Sequence, residues 1–155
     1  IQQLYQVDGT GNDYRWSAWY TYNDVAKDWK LDKLTDSYVL NNNEYSRPAG
    51  QIRGINMIRL SEMYLIAIES APTQNEANAL YIPYMKARNV DASPLQQEQL
   101  MTEIIREYRR EFFGEGQMFY TYKRLGIKNM LWKTDREVGE QDYIVPLPST
   151  ELNAN

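Results

Sequence analysis

The spacing of apolar positions changes near Gly54. Residues 1–50 are polar, aromatic and weakly periodic. The run Asp8-Gly9-Thr10-Gly11-Asn12 reads as a turn, since Gly and Asn tolerate positive φ and Asp bonds to its own backbone. Residues 16–22 (WSAWYTY) have the β-prone, aromatic makeup of a short strand or extended segment. Asn41 to Asn43 and Pro48-Ala49-Gly50 mark a loop, and no long helix is predicted here. From Gly54 the period becomes helical. Met57, Leu60, Tyr64, Ala67 and Ile68 recur at helical spacing, and Ile58, Leu65 and Ile66 widen the stripe around most of the circumference. Such a helix is expected to be buried on nearly all sides.

Ala71-Pro72 ends this helix, and Thr73 with Glu76 forms a capping-box signature for the next. That second helix carries Ala77, Leu80, Tyr81, Tyr84 and Ala87, with a kink or fraying expected at Pro83. Two helices joined so closely predict a hairpin of about 35 residues, the size of one tetratricopeptide-like unit. Ser93-Pro94-Leu95-Gln96 predicts a further helix start, with Ser93 as N-cap and Pro94 at the first helical position. Leu100, Met101, Ile104, Ile105, Tyr108 and Phe112 share its apolar face. Gly114 and Gly116 break it, a short helix through Tyr122 ends at Gly126, and the tail from Tyr143 to Pro148 is too rich in proline for a central strand.

Composition narrows the chemistry. The 155 residues suit one domain able to bury a core. Seventeen Lys and Arg against twenty-one Asp and Glu leave a formal charge of −4, with no basic stripe of the kind that phosphate neutralisation requires, so a nucleic-acid partner is not expected. No cysteine and no histidine are present, which excludes thiolate and imidazole catalysis and ligation in this chain. No apolar run approaches the roughly 18 residues of a membrane span. The start, Ile1-Gln2-Gln3-Leu4-Tyr5, has no signal pattern, so the chain reads as a piece of something longer. Thirteen Tyr and four Trp stand out, and flat rings with a polar edge suit half-wet contact surfaces.

Three segments carry a resemblance. Ile58-Arg59-Leu60-Ser61-Glu62-Met63-Tyr64-Leu65-Ile66-Ala67, with Glu69 beyond, is similar to an "RLAE-x-YLI-A-E" helix. Arg109-Arg110-Glu111-Phe112-Phe113-Gly114-Glu115-Gly116, running on to Lys123-Arg124, is similar to "ERR-x-EF-x-x-EG". Ile144-Val145-Pro146-Leu147-Pro148 through Glu151 to Asn155 is similar to a closing "IP-x-x-E-x-x-x-NPN". A fourth, Asp13-Tyr14-Arg15, resembles a "DPR" that precedes extended segments. In this order and spacing they resemble the C-terminal region of the SusD/RagB family. Met118 and Thr121 depart from that pattern, standing where an Arg and an Asp are common, so an internal Arg–Asp interaction is expected to be missing.

The resemblance implies a mainly α, SusD-like helical fold with a tetratricopeptide-like hairpin and long irregular segments at both ends. It implies that residues 1–155 are the C-terminal part of a SusD-like domain: an irregular, aromatic-rich segment at 1–53, a helical core at 54–126, and a loop and extended tail at 127–155. It implies a surface-exposed lipoprotein of the outer membrane in Bacteroidota, touching the membrane only through a lipid anchor on a missing N-terminus. Its function would be non-enzymatic glycan binding for delivery to a SusC-like TonB-dependent transporter, with no cofactor. The family's motif residues read as scaffold.

Glu103, Glu107, Glu111 and Glu115 lie four apart on one helical stripe, as a glycosidase pair would, but Arg106, Arg109 and Arg110 interleave with them in the manner of a salt-bridge face. No catalytic residue is assigned. Asp24, Asp28, Asp32 and Asp36 recur with Lys27, Lys30 and Lys33 between them, and lack the compact glycine-turned loop of a calcium site, so no metal is expected. Sugar rings present C–H faces that stack on indole and phenol. Among Trp16, Trp19, Tyr20, Tyr22, Trp29 and Trp132, the expected ligand contacts are Trp16, Trp19, Trp29 and Trp132. The rival expectation is a protein-interaction module, with the hairpin at 56–89 docking a partner and no small ligand.

Overall fold

A computed structural model describes residues 2–5, 13–33, 37–40, 43–46, 58–130 and 135–146. The chain is mainly α and divides into two compact units, Ile1–Gly114 and Glu115–Asn155. The first holds α1 (Gln2–Tyr5), α2 (Tyr14–Trp19), two β-hairpins and three longer helices: α3 (Leu60–Glu69), α4 (Gln74–Lys86) and α5 (Gln97–Glu111).

The strand expected over 16–22 begins only at Tyr20. Asp13 N-caps α2 by accepting from the Arg15 amide at 2.9 Å, and this satisfied first turn overrides the β-propensity of Trp16 and Trp19. Strands β1 (Tyr20–Asn23) and β2 (Asp28–Leu31) then pair antiparallel, with Tyr22 opposite Trp29 and Tyr20 opposite Leu31. Asn23 Oδ1 accepts from the amides of Val25 and Ala26 and shapes the turn, in which Lys27 sits at φ 54. A second antiparallel hairpin joins β3 (Ser37–Leu40) to β4 (Asn43–Ser46).

The expected helical hairpin is α3 and α4. Thr73 caps α4 by accepting from the Glu76 amide, and α4 continues through exposed Pro83 to Lys86. Leu65 and Ile68 of α3, Ala77, Tyr81, Tyr84 and Met85 of α4, and Leu100, Ile104, Tyr108 and Phe112 of α5 form the core. Each large side chain among them contributes about 1.5–3 kcal/mol by leaving water. The expectation that α3 is buried all round is corrected: Leu60, Met63 and Ile66 are exposed, because α4 and α5 cover one face of it.

The start of α5 is corrected too. It is Gln96 that caps the helix, in a reciprocal box with Gln99, three residues after Ser93. Asn78 on α4 explains the delay. Its side chain accepts from the Leu95 amide and donates to the Leu95 carbonyl, both at 2.9 Å, and Gln74 donates to the same carbonyl. Leu95 is thereby held as in a strand ladder, and its carbonyl is not offered to a helix.

In the second unit α6 (Met118–Leu125) ends at Gly126 in the left-handed region, φ 60. Tyr143, on a short 3-10 helix (Glu140–Tyr143), donates to the Ile127 carbonyl at 2.5 Å and packs on Phe119. Thr121, where the family pattern has Asp, is buried and donates to the Gln117 carbonyl. Ile144, which follows Tyr143, is extended.

Candidate functional site

Two residues adjacent in sequence face different surroundings on α2. Arg15 is buried among charges. It grips Asp13 through Nε and Nη2, at 3.0 and 2.7 Å, and reaches across to α5 with Nη1, donating to Glu107 at 2.9 Å and to Glu111 at 3.4 Å. Arg110 donates to Glu107 and to Glu103, and its Nε donates to the Leu4 carbonyl. Glu111 also accepts from Ser61 at 2.7 Å and Arg88 at 3.1 Å, with Arg59 within 3.6 Å.

The stripe expected to be a salt-bridge face is one, and it forms an ionic clamp closed off from water, with Glu107 fully buried. Burial alone would raise the Glu107 carboxyl, and Arg15 and Arg110 reverse this, holding it below the usual carboxylate range. Glu111 is likewise lowered against burial, by Ser61 and then Arg88 and Arg15. A glycosidase acid needs the opposite shift. Among the described residues no group of three or more acidic, His or Cys side chains is placed to hold a metal.

Trp16 faces the rings. It stacks on Tyr20 (centroids 4.8 Å apart, 24° between planes) and meets Trp29 of β2 at 4.5 Å. Tyr22, directly across the ladder, stands edge-on to Trp29 at 5.2 Å and 62°. This outer end is open: Tyr22 keeps 38% and Trp29 36% of its surface in contact with solvent. The inner end is closed by Tyr5, which packs on Trp16 and Tyr20 and donates to the Arg110 carbonyl at 3.0 Å. The hairpin's pleat and α2 thus build one graded patch, buried at Tyr5 and wet at Trp29.

Of the four expected contacts, the structure joins Trp16 and Trp29. Trp19 is set apart, edge-on to Tyr5 and capped by the Lys33 ammonium 3.9 Å from its ring centroid. Trp132 lies outside the described residues. Sequence reading missed Tyr5, whose short flanking helix carries no periodic signal, and Phe113, 6.1 Å from Tyr20.

The clamp draws together the "DPR"-like Asp13 and Arg15, the "RLSE"-like Arg59 and Ser61, and Glu107, Arg110 and Glu111 in and beside the "RREFF" segment. Such a junction of distant motifs defines a helical scaffold built to hold the aromatic hairpin. The model of the SusD family matches residues 9–155, and the chain belongs to that family. No curated protein and no solved structure matches it significantly. Members of the family are in general non-catalytic, nutrient-binding lipoproteins of the outer-membrane surface that bind glycans and work with SusC-like transporters.

Proposed function

We propose that this chain binds a glycan on the patch formed by Trp16, Tyr22 and Trp29, and that the bound sugar is passed to a SusC-like TonB-dependent transporter. The observation that carries this reading is the graded aromatic patch, whose outer rings stay about one-third exposed although neighbouring rings are available to bury them. A pyranose C–H face stacks on Trp29, and Tyr22, standing edge-on, confines it from the side while its hydroxyl and the indole N–H offer polar contacts. Trp19 supports the patch from behind through Tyr5. In this reading the chain forms the C-terminal part of a SusD-like domain, with 1–53 supplying the aromatic segment, 54–126 the helical core and 127–155 the tail. Stacking with few charged contacts gives the weak, reversible affinity that hand-over requires.

Calorimetric titration of the intact protein with a panel of oligosaccharides tests the proposal. Saturable binding to one glycan class, reduced at least about tenfold by Trp29→Ala, is the expected result. A flat response across the panel overturns it. A second reading, that the α3–α4 hairpin docks a protein, is favoured by the exposed row Leu60, Met63 and Ile66. It predicts a partner retained by the wild type and lost on Met63→Glu, whatever the glycan response.

A further inference from the structure

The pleat of the β1–β2 hairpin sorts its side chains by chemistry. Residues paired across the ladder point to the same face, and the face changes at every step along a strand. Tyr20 with Leu31 and Tyr22 with Trp29 therefore share one face, where Trp16 joins them from α2. Thr21 with Lys30 and Asn23 with Asp28 share the other. Both charged residues of the ladder thus lie on the side turned away from the rings.

The cations in and beside the hairpin are engaged elsewhere. Helix α2 has one charged residue, Arg15, which is buried and paired with Asp13 at 2.7 Å and with Glu107 at 2.9 Å. Lys33 covers the Trp19 ring and donates to the Glu111 carbonyl. Lys30 lies 3.9 Å from Asp32, and Lys27, in the turn, lies 3.9 Å from Asp24. Residues 20–32 carry three carboxylates, Asp24, Asp28 and Asp32, against these two lysines. Asp24 and Asp28 are exposed, and they flank the open end of the patch, where Trp29 follows Asp28 directly. An ionised group set against the rings would give up water with no cation to replace it, and would also meet the field of those two aspartates. A neutral hydroxymethyl group in the same place meets neither cost.

On the glycan reading of the patch, we infer that it selects neutral sugars and rejects their acidic counterparts, the uronates. Stacking on Trp29 beside Tyr22 supplies an attraction common to all pyranoses and distinguishes little among them. The discrimination comes from two other features. The pleat keeps the charges of the ladder off the ring face, and Asp24 and Asp28 set a negative rim at its open end. Specificity then lies in a penalty against the wrong ligand more than in a contact made to the right one.

The test is calorimetric titration of the intact protein, at about pH 7, where a carboxyl of ordinary pKa is ionised. The probes are gluco-, manno- and galacto-configured oligosaccharides, each paired with the uronate in which C6 is oxidised to a carboxylate. Saturable binding of the neutral member of one pair, at least about tenfold tighter than its uronate, is the expected result. Tyr22→Arg, which sets a guanidinium on the ring face beside Trp29, should bring that pair within about threefold of each other. A uronate that binds as tightly as its neutral partner, or a gap unchanged in Tyr22→Arg, overturns the selectivity and leaves the glycan reading standing. Silence from every member of the set overturns both.

Discussion

Arg15 and Trp16 are neighbours on one short helix, and the two regions they enter are held by different physics. Around Arg15 the partners are charged, buried and joined by directional hydrogen bonds, so the arrangement tolerates little displacement. Around Trp16 the partners are rings at tilts from 24° to 57°, an arrangement that is graded and open at one end. The first region fixes position and the second leaves surface available. Together they let a hairpin of two four-residue strands, too small to be stable alone, present its rings in a constant geometry.

This contrast is broken most severely at Arg15. Arg15→Leu strands Asp13, Glu107 and Glu111 without their shared cation, and a loss of about 3–5 kcal/mol is expected, read as a lowered urea midpoint. An unchanged midpoint would mean that the clamp is not structural. The next effect is on pH. Glu107 and Glu111 have folded-state pKa values below their ordinary value of 4.5, so their stabilisation is fully present above that value. It is lost as pH falls through the folded values, where protonation favours the unfolded chain. Denaturation midpoints should therefore hold from neutrality down to the ordinary carboxylate range and fall below it, and the fall should be shallower in Glu107→Gln.

The aromatic side is expected to respond in binding more than in stability. Trp29→Ala removes a half-wet ring, so the urea midpoint should move by the equivalent of about 0.5–1.5 kcal/mol while glycan affinity drops at least about tenfold. Equal losses in both would make Trp29 a packing residue. The smallest effect belongs to the turn. Lys27 occupies the left-handed region at φ 54, and Lys27→Gly should stabilise the chain by about 1 kcal/mol or less, with binding untouched.

The sequence disclosed the two regions unequally. Helices α3 to α6 were legible because capping residues and apolar spacing are local signals, and Gly126 takes the left-handed cap that its position promised. Ser93 misled because the decisive contact, Asn78 on Leu95, spans 17 positions. The acidic stripe was legible as a salt-bridge face, but its burial was not. Alternating charges at helical spacing look alike whether they face water or protein, and the residue that decides, Arg15, lies 92 positions from Glu107. On the aromatic side, richness in Trp and Tyr singled out Trp16 and Trp29 together. It gave no means of separating Trp19, whose ring is covered by Lys33.

That separation of 92 positions also bears on the order of folding. Contacts within the α3–α4 hairpin and between it and α5 close short loops, whereas the clamp must close a loop through most of the first unit before it stabilises anything. The helices are therefore expected to assemble first, with α2 and its hairpin docking last, when Arg15 finds its carboxylates. Refolding followed by tryptophan fluorescence should lag behind refolding followed by helical circular dichroism. A molecule that has not completed its scaffold displays no ordered row of rings, so binding competence arrives in the final step.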